Sequence, residues 1–198
     1  MPDHPKAPQG ETAQRIVAIA MELIQTKGYS AISYQDISDR LGIRKASIHY
    51  HFPAKTDLGI AAIEAYAAGL QSYLQEVAGD ERLTTAALFD HYCGPFLQLA
   101  AAPDTICLCG ALAGEILALP KAMRPSVKAF FEMHEAWIEA MLVRGVARGE
   151  VSPDVDPRRV ARTVFAALQG ALLVQRAAGG AGRLEAVVAT IRTLFAAP

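Results

Sequence analysis

The sequence predicts an all-α protein. No segment sustains the alternation of apolar and polar residues that is typical of a β-strand, and alanine and leucine outnumber the valine, isoleucine and threonine that strands favour. The helical patterns are separated by short segments that carry proline or glycine, such as RGEVSPDVDP and AGGAG. These borders predict about nine helices, and a hydrophobic content of 52% in 198 residues is sufficient for a folded core.

The first three predicted helices are delimited by residues that start or stop helices. Residues 11–26 form the first helix, with an apolar stripe on one side and Gly28 just beyond its end. Ser33 is the predicted N-cap of a short second helix, which Gly42 ends. A third short helix is predicted from about residue 44 to 51.

Longer helical segments fill the rest of the chain. A long helix is predicted from residue 55 to about 77, and its inward residues are expected to be Leu58, Ala62, Ala65, Leu70 and Leu74. Further helical segments are predicted at about 81–101, 104–118, 120–148, 156–178 and 183–196.

Charge and hydropathy restrict the class of protein. The chain has 19 Lys plus Arg against 20 Asp plus Glu, so any positive surface has to be local. No apolar run reaches the roughly 20 residues that span a bilayer, and the polar start MPDHPKAPQG does not have the pattern of a signal peptide. Three cysteines are too few for a disulfide framework. We therefore expect a cytoplasmic protein that makes no membrane contact.

The segment LGIRKASIHYHFPAKTDL, residues 41–58, concentrates positive charge. Between Asp39 and Thr56 there is no acidic side chain, and the basic ones are Arg40, Arg44, Lys45 and Lys55. Two short helices joined by a tight turn form a helix-turn-helix, whose second helix enters the major groove of DNA. With Ile48 and Phe52 facing the core, the residues that can point outward are Lys45, Ser47, His49 and Tyr50. The segment predicts a DNA-binding surface, with a solvated basic hairpin as the alternative.

The longer segment YQDISDRLGIRKASIHYHFPAKTDL resembles the DNA-binding segment of the TetR/AcrR family of bacterial one-component repressors. The resemblance covers about residues 11–60 and departs from the family pattern at His49, where a tyrosine is usual, and at Ala54, where a polar cap is usual. Together with the charge pattern, it implies that double-stranded operator DNA is contacted by Ser33, Tyr34, Arg44, Lys45, Ser47, His49, Tyr50, His51 and Lys55.

The same resemblance implies two domains. Residues 1–54 would be an N-terminal tail with a three-helix, helix-turn-helix DNA-binding domain, and residues 55–198 a larger ligand-sensing and dimerisation domain. The middle helices would hold a cavity for a small, mostly apolar effector. Its expected walls are the large apolar side chains of Phe89, Tyr92, Phe96, Phe130, Met133, Trp137 and Met141, for which plain core packing is the alternative.

A homodimer through the last two helices is also implied. Those helices carry apolar stripes at helical spacing, which support the dimer independently although both could be used within one chain. The residues predicted to face a second copy are Val164, Leu168, Leu172, Val187, Val188, Ile191, Leu194 and Phe195.

The segment TICLCGALAGEILALP resembles a subgroup of the family in which a cysteine begins the sixth helix, eight residues before a glutamate, as Cys107 and Glu115 are placed here. Some members of that subgroup respond to electrophiles or oxidants through the thiol. Cys107 is therefore added to the predicted ligand site, with an inert buried cysteine as the alternative. A metal or redox site that uses Cys107 and Cys109 is a further alternative, although residues two apart on a helix point in different directions.

We expect a repressor that binds a near-palindromic operator as a dimer and is released by a small apolar or thiol-reactive effector. No metal site and no cofactor is predicted. A small helical enzyme is the alternative from another class. The sequence has no glycine-rich phosphate loop and no HExxH or GxSxG motif, so this alternative is weak.

Overall fold

The structure is a computed structural model that describes residues 9–102 and 104–193. Within these residues there are nine α-helices, one 3-10 turn and no strand, which confirms the predicted all-α fold. None of the helices in this part of the chain is long and apolar enough to cross a bilayer. The helices are α1 (Gln9–Lys27), α2 (Tyr34–Leu41), α3 (Lys45–His51), α4 (Lys55–Gly79), α5 (Thr85–Ala101), α6 (Leu108–Gly114), α7 (Arg124–Ala147), α8 (Pro157–Ala178) and α9 (Arg183–Thr193), with the 3-10 turn at Lys121–Met123.

The start of α2 confirms the predicted cap. The Asp36 carboxylate accepts the backbone N–H of Ser33 at 2.8 Å, and the Ser33 hydroxyl accepts the backbone N–H of Asp36 at 3.4 Å. Hydrogen bonds from Ser33 and from Lys27 lower the pKa of Asp36 to about 2. At the other end Gly42 has a φ of 65°, and its N–H donates to the Ser38 carbonyl at 2.9 Å. A glycine is favoured there because other side chains clash in the left-handed conformation.

The sixth helix is shorter than predicted. The sequence pattern extends over 104–118, whereas α6 spans only Leu108–Gly114 and turns follow it. Gly110 and Gly114 lower the helix propensity of this segment. Because α6 is short, Glu115 is its C-cap residue, and the Glu115 side chain contacts Tyr29 in the turn after α1.

The core is continuous from the N-terminal helices to α9. Helix α1 packs against α2, α4 and α6, α7 packs against α4, α5 and α8, and α9 packs against α5 and α8. On α4, Leu58, Ala62 and Leu74 are buried as predicted. The prediction for Ala65 was wrong, since this residue is exposed, whereas Leu70 is half-buried and packs against the core. Both residues also line a cavity.

The predicted dimer stripe is buried inside the single chain. The side chains of Val164, Leu168, Leu172, Val188 and Ile191 are at most 6% exposed, and Val187 is half-buried. The predicted contacts Leu194 and Phe195 lie outside the described residues. Because the buried side chains are covered by the chain's own helices, a second copy cannot reach them. The packing of α8 and α9 within one chain thus accounts for the amphipathic pattern, which is the alternative that the sequence left open.

Candidate nucleic-acid interface and effector cavity

The third helix presents one face to the core and the other to solvent. Ile48 is fully buried and Phe52, just after the helix, is half-buried, so these two residues anchor α3. As expected, Lys45, His49 and Tyr50 are exposed, with 68% of Tyr50 accessible. Ser47 is half-buried. The exposed face of α3 is therefore polar, aromatic and basic.

A shallow groove of about 340 Å³ lies where α2, α3 and α4 begin to converge. It brings together five of the nine residues predicted to contact DNA, which are Ser33, Tyr34, Lys45, His49 and Lys55. The other four, Arg44, Ser47, Tyr50 and His51, are outside the groove. Two lysine side chains and the positive N-terminal end of α2 meet at this groove, and such an arrangement favours an anion such as a phosphate.

The hydroxyl group of Tyr34 is already used within the protein. It donates to the Phe52 carbonyl oxygen at 2.7 Å, and its ring lies edge-on to the His49 ring with 4.6 Å between centroids. Burial, with a smaller contribution from Asp57, raises the pKa of Tyr34 to about 12. Since the hydroxyl hydrogen is engaged, a contact from Tyr34 to a phosphate would have to come from its backbone N–H.

Lys55 is held by the turn between α1 and α2. Its ammonium group lies 4.4 Å from the centroid of the Tyr29 ring and 3.5 Å from the Ser30 carbonyl oxygen. Partial burial lowers the pKa of Lys55, and the nearby carboxylates of Glu115 and Asp36 counteract this effect. The lysine thus lies at the edge of the groove in a defined position, although Ala54, the N-cap residue of α4, makes no side-chain cap. Asp57 compensates for that missing cap, since its carboxylate accepts the Ala54 N–H at 2.9 Å.

The remaining predicted DNA-binding residues surround α3. Arg44 is the exposed N-cap residue of α3 and makes no side-chain cap. The Nδ1 atom of His49 lies 3.4 Å from the Pro53 carbonyl oxygen. His51 is half-buried, with its ring edge-on to that of Tyr50. This position is compatible with both the predicted phosphate contact and a structural role.

A cavity of about 380 Å³ lies between α1, α4, α5, α7 and the start of α6. Its lining is Met21, Ala65, Tyr66, Gly69, Leu70, Tyr73, Pro95, Phe96, Leu99, Cys107, Phe130 and His134. Three predicted lining residues are present, namely Phe96, Cys107 and Phe130. The other five predicted residues do not line it: Phe89, Tyr92 and Met141 are buried in the core, and Met133 and Trp137 are half-buried elsewhere.

The sequence reasoning missed the three polar aromatic residues of the cavity wall, which are Tyr66, Tyr73 and His134. Tyr66 stacks on Phe130, with 5.6 Å between ring centroids. His134 follows Phe130 by one helical turn on α7, so the periodicity of that helix could have placed it on the same wall. Size and hydrophobicity do not identify His134, because its side chain is polar.

Cys107 is the cysteine that lines the cavity. The Gln169 side-chain amide donates to its Sγ at 3.2 Å, and the Tyr66 hydroxyl also hydrogen-bonds to it. Cys93 and Cys109 are buried away from the cavity, and burial raises the pKa of Cys93 to about 12 and that of Cys109 as well. Because the thiolate is the reactive form, these two cysteines are poor nucleophiles.

His134 is 1% exposed and enclosed by aromatic rings. Its ring stacks on Phe165 and lies edge-on to Phe130, with 4.6 Å between centroids in both cases. Nδ1 lies 2.6 Å from the Tyr92 hydroxyl, and Nε2 has no hydrogen-bond partner among the described residues. Burial lowers the pKa of His134 to about 3, so the imidazole is neutral at ordinary pH.

Helix α6 is held at one end by α1 and at the other end by the turn that follows α1. Just before it, Ile106 and Gln25 exchange two hydrogen bonds, each 3.2 Å long. Just after it, the Glu115 carboxylate accepts the backbone N–H groups of Tyr29 and Ser30, each at 2.9 Å, and also the Ser30 hydroxyl. A helix that begins at the cavity wall therefore ends on the turn that leads into α2.

A larger groove of about 800 Å³ lies along the outer side of α7. Four of its side chains form the ion pairs Lys128–Glu132 at 2.9 Å and Arg162–Glu135 at 3.4 Å. An apolar ligand would gain more from the cavity that Cys107 lines, because none of the charged side chains that the structure describes lines that cavity. Within the described residues, no three His, Cys, Asp or Glu side chains are placed to hold a metal ion.

Comparison with known families gives two matches. Residues 16–62 match the N-terminal domain described as bacterial regulatory proteins, tetR family. Residues 84–191 match the domain described as tetracyclin repressor-like, C-terminal domain. The first match contains the helix-turn-helix, and the second contains six of the twelve residues that line the cavity.

Individual proteins agree with these matches. The transcriptional regulator AcuR of Cereibacter sphaeroides is 28% identical over 180 residues, which cover 84% of this chain and 78% of AcuR. The HTH-type transcriptional repressor DhaR of Mycobacterium sp. is 22% identical over 81% of this chain and 80% of its own. The crystal structure of a TetR family transcriptional regulator from Agrobacterium tumefaciens is 32% identical, covers 96% of this chain and 100% of its own, and superposes with a TM-score of 0.89.

Proposed function

The chain belongs to the TetR family of bacterial regulatory proteins, and we propose that it is a repressor that leaves a near-palindromic operator when a small effector occupies the cavity. The observation that carries the proposal is the placement of α6, whose N-cap residue Cys107 lies on the cavity wall and whose C-cap residue Glu115 binds the turn before α2. The matching proteins are transcriptional regulators and not enzymes, so no catalytic role is assigned. DhaR is named a repressor, and this supports the proposed direction of regulation.

The proposed DNA contacts divide into two groups. Lys45, Lys55 and the N-terminal end of α2 would hold phosphates at the groove, where charge and backbone N–H groups contribute affinity but little specificity. His49 and Tyr50, exposed on α3, would reach base edges in the major groove. Ser33, Tyr34, Arg44, Ser47 and His51 complete the proposed interface.

Members of this family act as dimers, and we assign the contact to the exposed face of α8. Leu173 is 37% exposed and Val174 is 50% exposed, which is unusual for apolar side chains on a helix with an otherwise buried apolar stripe. The exposed Ala166 and the half-buried Gly170 precede them at helical spacing. Such small side chains let two helices approach closely, and a symmetric pair of α8 helices would place two DNA-binding heads on one operator.

Two kinds of effector fit the cavity. A reversible apolar ligand requires only the aromatic and aliphatic walls. A thiol-reactive effector would form a bond with Cys107, whose sulfur lies at the wall beside the polar groups of Gln169 and Tyr66. In both cases the occupant would shift α6, and the Glu115 contacts would carry that shift to the turn before α2.

DNA binding tests the proposal first. The protein is titrated into fluorescently labelled DNA from the region upstream of its own gene, with a scrambled duplex of the same composition as the control. We expect tight binding to the upstream DNA, with affinity that falls steeply as salt increases because phosphate contacts release counterions. Equal affinity for the two duplexes would contradict sequence-specific operator binding.

A further inference from the structure

One residue of the cavity wall, His134, has a ring nitrogen that the described residues leave without a hydrogen-bond partner. Several buried side-chain nitrogen and oxygen atoms in the described residues have no partner, and among them only His134 Nε2 belongs to a residue that lines this cavity. An unpaired buried polar group is unfavourable, and a ligand in the volume that His134 lines can supply the missing partner.

The hydrogen bond between Tyr92 and His134 defines which proton Nε2 carries. Tyr92 is 1% exposed, and Nδ1 of His134, 2.6 Å from the tyrosine hydroxyl, is the partner that the structure provides for it. If the hydroxyl donates to Nδ1, its hydrogen is satisfied and the neutral ring carries its own hydrogen on Nε2. If Nδ1 donates instead, the hydroxyl hydrogen and the Nε2 lone pair are both unsatisfied. The first arrangement leaves fewer unpaired groups, so Nε2 is a hydrogen-bond donor.

The charge of the wall restricts the ligand further. Among the described residues, no Asp, Glu, Lys or Arg side chain lines the cavity, and the low pKa of His134 keeps its ring neutral. An anionic or cationic ligand would lose its hydration without gaining an opposite charge, which is costly. An uncharged ligand with a hydrogen-bond acceptor avoids that cost.

We propose that the effector is a small uncharged carbonyl compound whose oxygen accepts a hydrogen bond from His134 Nε2–H while its apolar body contacts Phe96 and Phe130. This inference rests on the proposed function, since it identifies the chemical class that the cavity takes. Tyr92 acts as a positioning residue, because its hydroxyl fixes the hydrogen on Nε2.

Binding is measured with two isosteric probes, cyclohexanone and methylenecyclohexane, of which only the first has a carbonyl oxygen. The single tryptophan of the chain, Trp137, reports binding by its fluorescence, because its ring stacks on Tyr92 at 5.2 Å between centroids. The quantity compared is the ratio of the two dissociation constants, so that differences in the hydration of the probes cancel between variants.

The decisive variant is His134→Phe, which keeps an aromatic ring and removes the donor. The preference for cyclohexanone should fall by about tenfold relative to the parent protein. Tyr92→Phe should give an intermediate preference, because Nδ1 then competes for the hydrogen. Phe96→Leu is the control, since it should weaken both probes and leave their ratio unchanged. If His134→Phe does not fold, His134→Met provides the same comparison.

An unchanged ratio in the folded His134 variant, or a ratio in Tyr92→Phe above that of the parent, would overturn the carbonyl proposal. This outcome is distinct from a failure of the proposed function, because the probe measurement contains no DNA. Conversely, a protein that stays bound to the upstream DNA when the cavity is occupied would contradict effector control. The measured ratio of the two probes would still stand.

Discussion

The Glu115 carboxylate accepts the backbone N–H of Tyr29 at 2.9 Å, across 86 positions of the sequence. This hydrogen bond and its neighbour at Ser30 connect the end of α6 to the turn before α2. A charged acceptor makes stronger hydrogen bonds than a neutral one, and here it satisfies N–H groups that no helix satisfies. The position of the DNA-binding helices is thereby linked to the helix that starts at the cavity.

Gly28 makes room for this contact. Its φ of 82° suits glycine, and a Cβ atom at that position would collide with the Glu115 carboxylate. Gly28→Ala should therefore lower the free energy of unfolding by at least ~1 kcal/mol more than Gly42→Ala does. Gly42 is the matched control, since its φ of 65° carries similar backbone strain but nothing lies within 4 Å of its added Cβ. Urea denaturation measures both variants, and equal losses would show that the Glu115 contact contributes little.

Lys45 should contribute one phosphate contact in each DNA-binding head. Lys45→Ala is expected to weaken operator binding and to reduce the slope of log affinity against log salt by about one unit for each phosphate that the lysine no longer neutralises. Lys128→Ala is the control, because Lys128 lies on α7 and pairs with Glu132 at 2.9 Å. The test is fluorescence anisotropy on labelled DNA over a series of salt concentrations. A slope that matches the parent would remove Lys45 from the interface.

Cys107 should account for any release by electrophiles. The Cys107 thiolate sulfur would add to one carbon of the N-ethylmaleimide double bond while the other carbon takes up a proton from water, and the adduct would occupy the cavity. The parent protein, Cys93→Ser and Cys109→Ser should all leave the DNA after treatment, whereas Cys107→Ser should stay bound. Mass spectrometry of the same samples identifies the modified cysteine. Release of Cys107→Ser to the same extent as the parent would exclude the thiol mechanism and leave a reversible ligand.

The exposed face of α8 should hold the dimer together. Val174→Glu is expected to give a folded monomer that loses most of its operator affinity, because one head contacts half of the phosphates. Val143→Glu is the control, since Val143 on α7 has a similar exposure of 53% but lies outside the proposed contact. In contrast, Leu168→Glu should disrupt folding, because Leu168 is fully buried. Sedimentation that shows an intact dimer for Val174→Glu would refute this assignment.

Local features of the fold could be predicted from the sequence, and features made by distant residues could not. The cap at Ser33 and the stop at Gly42 depend on residues within one turn, so their sequence signals are direct. The contact between Glu115 and Tyr29 depends on how two helices pack, and nothing in either segment specifies the other. In the sequence, Glu115 is distinguished only by its spacing from Cys107.

The predicted dimer stripe and the predicted cavity walls also depended on contacts between distant residues, which the sequence does not specify. The spacing of Leu168 and Leu172 identifies an apolar face correctly, but spacing cannot distinguish a face that packs inside the chain from one that packs against a second copy. For the cavity, size and hydrophobicity identified Phe96 and Phe130 but also Phe89, which is buried in the core. His134 was missed because its role depends on Tyr92, which lies 42 positions away on another helix.

The most direct test of effector control measures whether an occupied cavity acts on DNA through Glu115. The variant Cys93→Ser/Cys109→Ser is treated with N-ethylmaleimide until Cys107 is fully modified, and its operator affinity is compared before and after by anisotropy. The same comparison is made with Glu115→Gln added, which keeps the size of the side chain and removes its charge. We predict that modification of Cys107 causes a large loss of operator affinity, and that the relative loss is smaller with Glu115→Gln. The ratio of the affinities before and after modification measures the coupling between the cavity and the DNA-binding surface. Full modification with unchanged operator affinity, or the same relative loss with and without Glu115→Gln, would contradict this coupling.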